Sequence, residues 1–87
     1  MKVRDGFILR NMGENHLVVP VGSATVDFRC IITLNGTGAF LWEQLQNEQT
    51  EEELVKVLLA EYDVPEDIAV RDVAAFIEDL RKADLLV

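Results

Sequence analysis

The spacing of apolar residues along the chain changes at Asn35. Before it, runs rich in aliphatic and β-branched residues at 7–12, 16–21 and 28–33 predict three strands. A short segment rich in Gly and Asn separates the first two runs and predicts a hairpin. In the third run every second residue is apolar, which predicts one face on a core and one face partly available to solvent.

After Asn35 the apolar residues recur every three or four positions, which predicts three helices. Either Asn35 or Thr37 can cap the first helix. Thr50 and Glu53 form a capping-box pattern at the start of the second helix, and Pro65 suits the first turn of the third. The residues expected in the core of this half are Phe40, Leu41, Trp42, Leu45, Leu54, Val55, Leu58, Leu59, Tyr62, Ile68, Ala69, Val73, Ala74, Phe76, Ile77 and Leu80.

The order of these elements predicts an α+β fold in one domain over residues 1–87. A chain of this size buries only about 60–65% of its unfolded surface, so its 49% apolar content must pack efficiently. The single cysteine excludes an internal disulfide. The sequence has no basic-then-apolar leader, and no apolar run approaches the ~20 residues of a bilayer span. We therefore expect a soluble, cytoplasmic protein.

The net charge of −8 is distributed unevenly. Residues 1–35 carry four basic and three acidic residues, whereas residues 36–87 carry four basic and thirteen acidic residues. A strongly negative helical half repels nucleic acid phosphates and anionic lipids. This charge disfavours a DNA-binding winged-helix regulator, which is the alternative that the order of elements leaves open.

No set of residues in the sequence predicts catalysis or metal binding. His16 and Cys30 are single residues of their types, whereas a structural zinc site needs about four ligands and a nucleophilic cysteine needs a base. Gly36 and Gly38 match neither the dinucleotide-binding fingerprint, which needs a third glycine, nor the P-loop, which needs Gly-Lys-Ser/Thr. We expect them to permit the sharp turn from strand to helix. An acidic helical domain of this size could also be an acyl carrier, in which a serine at the start of a helix carries the arm. Ser23, the sole serine, lies instead in a predicted loop between strands. We expect no enzyme activity and no cofactor.

The predicted sheet has an edge that a partner could use. Three short strands cannot close a barrel, so at least one edge keeps unpaired backbone groups. The third strand contains no proline, has Arg29 as its one charged residue, and places Ile31 and Thr33 on its outer face. Such an edge can take up an extended peptide as an added strand. The pattern equally allows an inner strand.

Several segments, taken in order, resemble the PqqD-like family, the pyrroloquinoline quinone synthesis protein D family. The resemblance covers residues 7–87. Its central motif consists of Leu34, Asn35, Thr37, Gly38, Ala39, Leu41, Trp42 and Leu45. Further matching positions are Thr50, Glu52, Glu53, Leu54, Glu61, Tyr62, Asp63, Val64, Val73, Phe76, Ile77, Leu80, Leu85 and Leu86. Members commonly have a glycine where this chain has Asp84, and aspartate tolerates the same left-handed backbone moderately well.

The resemblance implies a winged-helix-like domain, with a three-stranded antiparallel sheet followed by three helices. It implies a peptide chaperone that binds the leader segment of a ribosomally made precursor and presents it to a separate modifying enzyme, often a radical S-adenosylmethionine enzyme. In the family, the leader lies against the third strand in a groove shared with the third helix. By position, the residues of that groove are Phe28, Arg29, Cys30, Ile31, Ile32, Thr33, Arg71, Asp72, Ala75, Phe76 and Asp79.

Each of these residues has an expected role in the groove. Ile31 and the surface of Ala75 and Phe76 would accept apolar leader residues, while Arg29 and Arg71 would pair with leader acids. An Ile31→Asp substitution is therefore expected to abolish leader binding without unfolding the domain. The sequence does not identify the precursor, the modifying enzyme or the modification, and it leaves open whether the edge pairs with a second copy.

Overall fold

The computed structural model of the protein describes residues 1–22 and 32–87. Its elements are β1 (Phe7–Met12), β2 (Asn15–Pro20), β3 (Ile32–Leu34), α1 (Gly36–Gln44), α2 (Glu51–Glu61) and α3 (Glu66–Lys82). Three antiparallel strands followed by three helices confirm the α+β prediction. Among these residues, none of the helices combines the length and apolar character that a bilayer crossing demands.

The described strands form one sheet in the order β1-β2-β3. Val18 of the central strand pairs with Leu9 on one side and with Ile32 on the other. The predicted hairpin is confirmed, with Gly13 at φ +72° in its turn. Within the described residues β3 is therefore an edge strand. Residues 28–31 of the predicted third strand lie outside the described residues.

Side-chain caps start the first two helices. The Asn35 Oδ1 accepts a hydrogen bond from the Gly38 N–H at 2.8 Å, which identifies the cap of α1. The Thr50–Glu53 capping box is confirmed, with reciprocal bonds of 3.0 and 3.1 Å. Pro65 is the N-cap of α3 rather than a residue of its first turn, and it makes no side-chain cap bond.

Of the two glycines expected to permit the sharp turn, Gly38 does so through close packing rather than through a positive φ. Neither is among the residues with positive φ, and the chain turns at Asn35, whose backbone is extended. Gly38 lies in a close approach, because a Cβ there would lie 3.2 Å from the Leu34 Cβ and 3.3 Å from the Asn35 Oδ1. A Cβ on Gly36 would meet no atom within 4 Å.

The core lies where the helices pack on the inner face of the sheet. Its largest fully buried side chains are Trp42, Leu41, Leu45, Leu54, Leu58, Leu80, Val18 and Val73. Phe40 is half-buried and makes an edge-to-face contact with Tyr62, with ring centroids 5.6 Å apart. Ala74 is exposed, contrary to the sequence prediction, because the buried stripe of α3 runs through Val73 and Ile77.

A Schellman turn ends α3. The Leu85 N–H donates to the Leu80 carbonyl at 2.9 Å and the Asp84 N–H donates to the Arg81 carbonyl at 3.0 Å, the two bonds that define this motif. Asp84 adopts φ +59°, so it takes the left-handed position that glycine usually fills. The Arg4 guanidinium donates to the Asp84 carbonyl at 2.7 Å and to its carboxylate at 2.9 Å.

The segment after that turn pairs with the N-terminal segment of the chain. Leu86 forms an isolated bridge with Val3, which precedes β1, instead of pairing with one of the three strands. Leu85 is buried in the core. The closing segment therefore joins the start of the chain to the end of α3.

Candidate functional site

A groove of about 310 Å³ lies between β3 and α3. The end of β3 and the first turns of α1 form one side, and successive turns of α3 form the other. The residues that line it are Thr33, Leu34, Asn35, Thr37, Gly38, Leu41, Asp72, Ala75, Phe76 and Asp79. We call this cleft the strand-edge groove.

The floor of the strand-edge groove is apolar and belongs to the core. Leu34, Leu41 and Phe76 line it and are each at least 92% buried. Core side chains are held in place by their neighbours on all other sides, so this floor keeps its shape without a ligand. An apolar side chain inserted here would displace water from a preformed surface.

The rim is polar on both sides and acidic on the α3 side. Asp72, Ala75 and Asp79 are exposed residues at three- and four-residue spacing, so they follow one line along the helix. Across from them lie Thr33 and Thr37. The described residues that line the groove include no Lys, Arg or His.

The backbone of β3 adds hydrogen-bonding capacity to this side of the groove. β3 pairs with β2 through Ile32, Thr33 and Leu34, and no described strand lies on its other side. A strand at the edge of a sheet has N–H and C=O groups that point away from its one neighbour. The groove therefore combines a strand edge with an apolar floor and an acidic rim.

The structure brings together five of the residues predicted for the site. Thr33, Asp72, Ala75, Phe76 and Asp79 all line the strand-edge groove.

The other predicted site residues are placed elsewhere. Ile32 is half-buried against the core on the opposite face of β3 from Thr33, and it does not line the groove. Arg71 does not line it either. Its side chain is 71% exposed, and its Nε lies 3.7 Å from the Oδ1 of the rim residue Asp72. Four predicted residues lie outside the described residues, namely Phe28, Arg29, Cys30 and Ile31.

Sequence reasoning missed the residues that close the end of the groove. These are Leu34, Asn35, Thr37, Gly38 and Leu41. All five belong to the motif at the junction of β3 and α1, whose pattern predicts only a turn and a helix start. The motif itself could have indicated these residues. It places the start of α1 next to the edge of β3, so its residues also face a ligand bound at that edge.

A second cleft, of about 280 Å³, lies between α2 and α3. We call it the interhelix cleft. Its apolar residues are Val55, Leu59 and Val70, and its charged residues are Glu51, Glu52, Lys56 and Glu66. Val70 is 48% exposed, so the apolar surface here is open to solvent. Helix side chains alone form its walls.

Metal and nucleophile chemistry gain no support within the described part of the chain. No group of three or more His, Cys, Asp or Glu residues there could hold a metal ion. The His16 ring is hydrogen-bonded to the Asn11 side chain through its Nδ1. This contact agrees with a strand-surface histidine.

A solved structure with a similar fold is that of TbiB1 in complex with the TbiA(beta) leader peptide. It is 23% identical to this chain, with a TM-score of 0.74, and the match covers 99% of this chain and 94% of that chain. At this level of identity the likeness shows the fold alone. Among curated proteins, none matches the sequence.

The family comparison covers most of the chain, including β3, the three helices and every described residue of the strand-edge groove. The sequence model of the family described as Coenzyme PQQ synthesis protein D (PqqD) matches residues 22–86. The chain belongs to the PqqD family.

Proposed function

We propose that this protein is a non-catalytic peptide chaperone of the PqqD family. It binds the leader segment of a ribosomally made precursor peptide by strand addition and presents the precursor to a modifying enzyme. Family membership supports this proposal, as does the similar fold of TbiB1, a protein solved with a leader peptide bound.

The strand-edge groove is the observation that carries the proposal. An extended peptide has two needs when it leaves water: partners for its backbone and an apolar surface for its side chains. β3 offers the backbone edge, and Leu34, Leu41 and Phe76 offer the apolar floor directly beside it. Backbone bonds would set the register of the peptide and the floor would select an apolar side chain.

The modifying enzyme acts in trans under this proposal, and the family resemblance favours a radical S-adenosylmethionine enzyme. The described residues include no nucleophile–base pair in the groove, and its ionisable residues are the two aspartates on the rim. The groove is therefore suited to holding a substrate, and the bond-making chemistry belongs to the partner. The family name does not assign the precursor or the pathway.

The negative charge of the groove and of the helical half argues against the DNA-binding alternative. The described groove has two carboxylates and no cation, and the helical half of the chain has thirteen acidic residues against four basic ones. Phosphate contact requires the opposite sign.

Amide-shift NMR titration of the labelled protein with the leader segments of candidate precursors tests the proposal. We expect shifts at residues 32–35 and 72–79, with the interhelix cleft at 51–59 as an internal control in the same spectrum. Shifts confined to 51–59 and 66–70 would contradict strand addition and would show that the leader docks on the helices instead.

A further inference from the structure

The two carboxylates on the rim of the strand-edge groove make at most one weak ion pair among the described residues. Asp79 forms no ion pair with any described residue, and Asp72 is paired only with Arg71, at 3.7 Å. Both members of that pair are largely exposed, with side chains 71% and 47% accessible, so the pair contributes little. The negative potential of this wall is therefore available to a ligand.

The spacing of the carboxylates matches an extended peptide. Asp72 and Asp79 are seven residues apart, which separates them by about 10.5 Å along the helix axis. Ala75 lies between them, and its small side chain leaves the apolar floor accessible at the centre of the groove. An apolar side chain on the floor near Phe76 would then have one carboxylate towards each end of the groove.

A strand places alternate side chains on the same face, about 6.6 Å apart. If one apolar residue occupies the floor, the residues two positions before and after it face the same wall, towards its two ends. The long, flexible stems of Lys and Arg can span the remaining distance to a carboxylate while they cover apolar surface. An acidic residue at the same positions would meet charge of its own sign.

We propose that the strand-edge groove selects an extended segment in which a large apolar residue is flanked, two positions away on one or both sides, by Lys or Arg. Asp72 and Asp79 are the residues that determine this charge preference. The inference rests on the proposed function and specifies the class of leader that it takes. It has the opposite sign to the sequence expectation that Arg29 and Arg71 pair with leader acids. Arg71 does not line the groove, and Arg29 lies outside the described residues.

Selection from a random peptide library displayed on phage tests the inference while the precursor is still unidentified. The whole chain is the immobilised target, and selected peptides are resynthesised and mapped by amide shifts. We expect peptides that shift residues 33–35 and 72–79 and that are enriched in Lys or Arg two positions from an apolar residue. The same selection on an Asp72→Asn, Asp79→Asn double variant should lose that enrichment.

Affinity measurements on three synthetic versions of a selected peptide then give the size of the effect. Their flanking residues are Lys, Gln or Glu, and all else is unchanged. We expect each carboxylate to favour Lys over Gln by about two- to fivefold at low salt, and the preference to shrink as ionic strength rises. A Glu66→Gln variant, which changes a carboxylate of the interhelix cleft, should leave the ranking unchanged.

The outcomes separate this inference from the proposed function. Peptides that bind the groove with no charge bias, or with Glu favoured, would overturn the inference and leave strand addition standing. A selection that yields no groove-binding peptide would count against both. If the Asp72→Asn, Asp79→Asn double variant kept the full preference for Lys, the inference would also be overturned. A group other than these two carboxylates would then cause the preference.

Discussion

The strand-edge groove and the interhelix cleft are close in size and differ in their walls. Their volumes are about 310 and 280 Å³, and each combines apolar and acidic lining residues, although Lys56 also lines the interhelix cleft. The strand-edge groove adds the open side of β3, whereas helix walls satisfy their backbone groups internally. Volume therefore does not distinguish a site for an extended peptide, and an unpaired strand edge does.

The floors of the two clefts differ in their contribution to stability. Phe76 is 8% exposed and belongs to the core, whereas Val70 is 48% exposed. We expect Phe76→Ala to lower the free energy of unfolding by about 3–5 kcal/mol, and Val70→Ala to change it by about 0.5 kcal/mol or less. Urea denaturation of both variants measures the difference. Equal losses would show that the two floors are equally integrated into the fold.

Filling each cleft tests which one holds the peptide. Ala75→Trp places a large side chain at the exposed centre of the groove wall, and Val70→Trp does the same in the interhelix cleft. Because the indole would occupy the space of an inserted strand, we expect Ala75→Trp to weaken binding of a groove-binding peptide by about 100-fold, or 2.7 kcal/mol. Calorimetric titration should find Val70→Trp within about twofold of the parent.

That result depends on both variants remaining folded, which their amide spectra would verify. Both positions are exposed on α3, so neither indole is forced into the core. If Val70→Trp were the variant that lost binding, the assignment of the two clefts would be reversed.

The two helix caps provide a smaller, paired test. Asn35 caps α1 and lines the strand-edge groove, whereas Thr50 caps α2 next to the interhelix cleft. Replacing either by Ala should cost about 1 kcal/mol of stability, since each loses a side-chain bond to a helix N–H. We expect Asn35→Ala alone to reduce peptide affinity as well. Thermal unfolding and the same titration would separate the two effects, and equal affinities would contradict a role for Asn35 in binding.

The smallest effect concerns the two glycines that start α1. Gly36→Ala meets no atom within 4 Å and should stabilise the protein by up to about 0.5 kcal/mol, through the helix preference of Ala over Gly. Gly38→Ala gains the same preference but crowds Leu34, whose Cβ is fixed to the backbone. We expect it to be about 1 kcal/mol less stable than Gly36→Ala. Urea midpoints would rank the pair, and a Gly38→Ala protein as stable as Gly36→Ala would show that β3 can move away from α1.

Local signals were the part of the fold that the sequence predicted best. The Thr50–Glu53 box needs only residues close together in sequence, so its pattern determines its structure. Asn35 and Thr37 were both plausible caps, and the extended backbone at Asn35 decided between them. Ala74 was placed wrongly because a small residue beside a buried stripe carries no signal of which side it faces.

The candidate site was predicted on its helix side and only in part at the end of β3, where Thr33 was expected and Leu34 was not. Asp72, Ala75, Phe76 and Asp79 share a face by spacing, and the family resemblance supplied the direction of that face. Thr37 and Leu41 join the groove only because α1 begins directly where β3 ends. The motif at that junction predicts the turn and the helix start, whereas the packing of α3 across from it, which completes the groove, depends on tertiary structure.

The contact between Arg4 and Asp84 has a consequence for the entropy of binding. It fastens the last turn of α3 to the segment before β1, across 80 residues of sequence. The C-terminal end of the helix that forms the groove wall is thereby tied to the N-terminal segment before any peptide binds. We therefore expect a bound peptide to lose its own freedom and little of the protein's. Opening that end of α3 would require the N-terminal segment to detach with it. Hydrogen exchange should therefore find the amides of residues 3–4 and 84–85 released in one cooperative step.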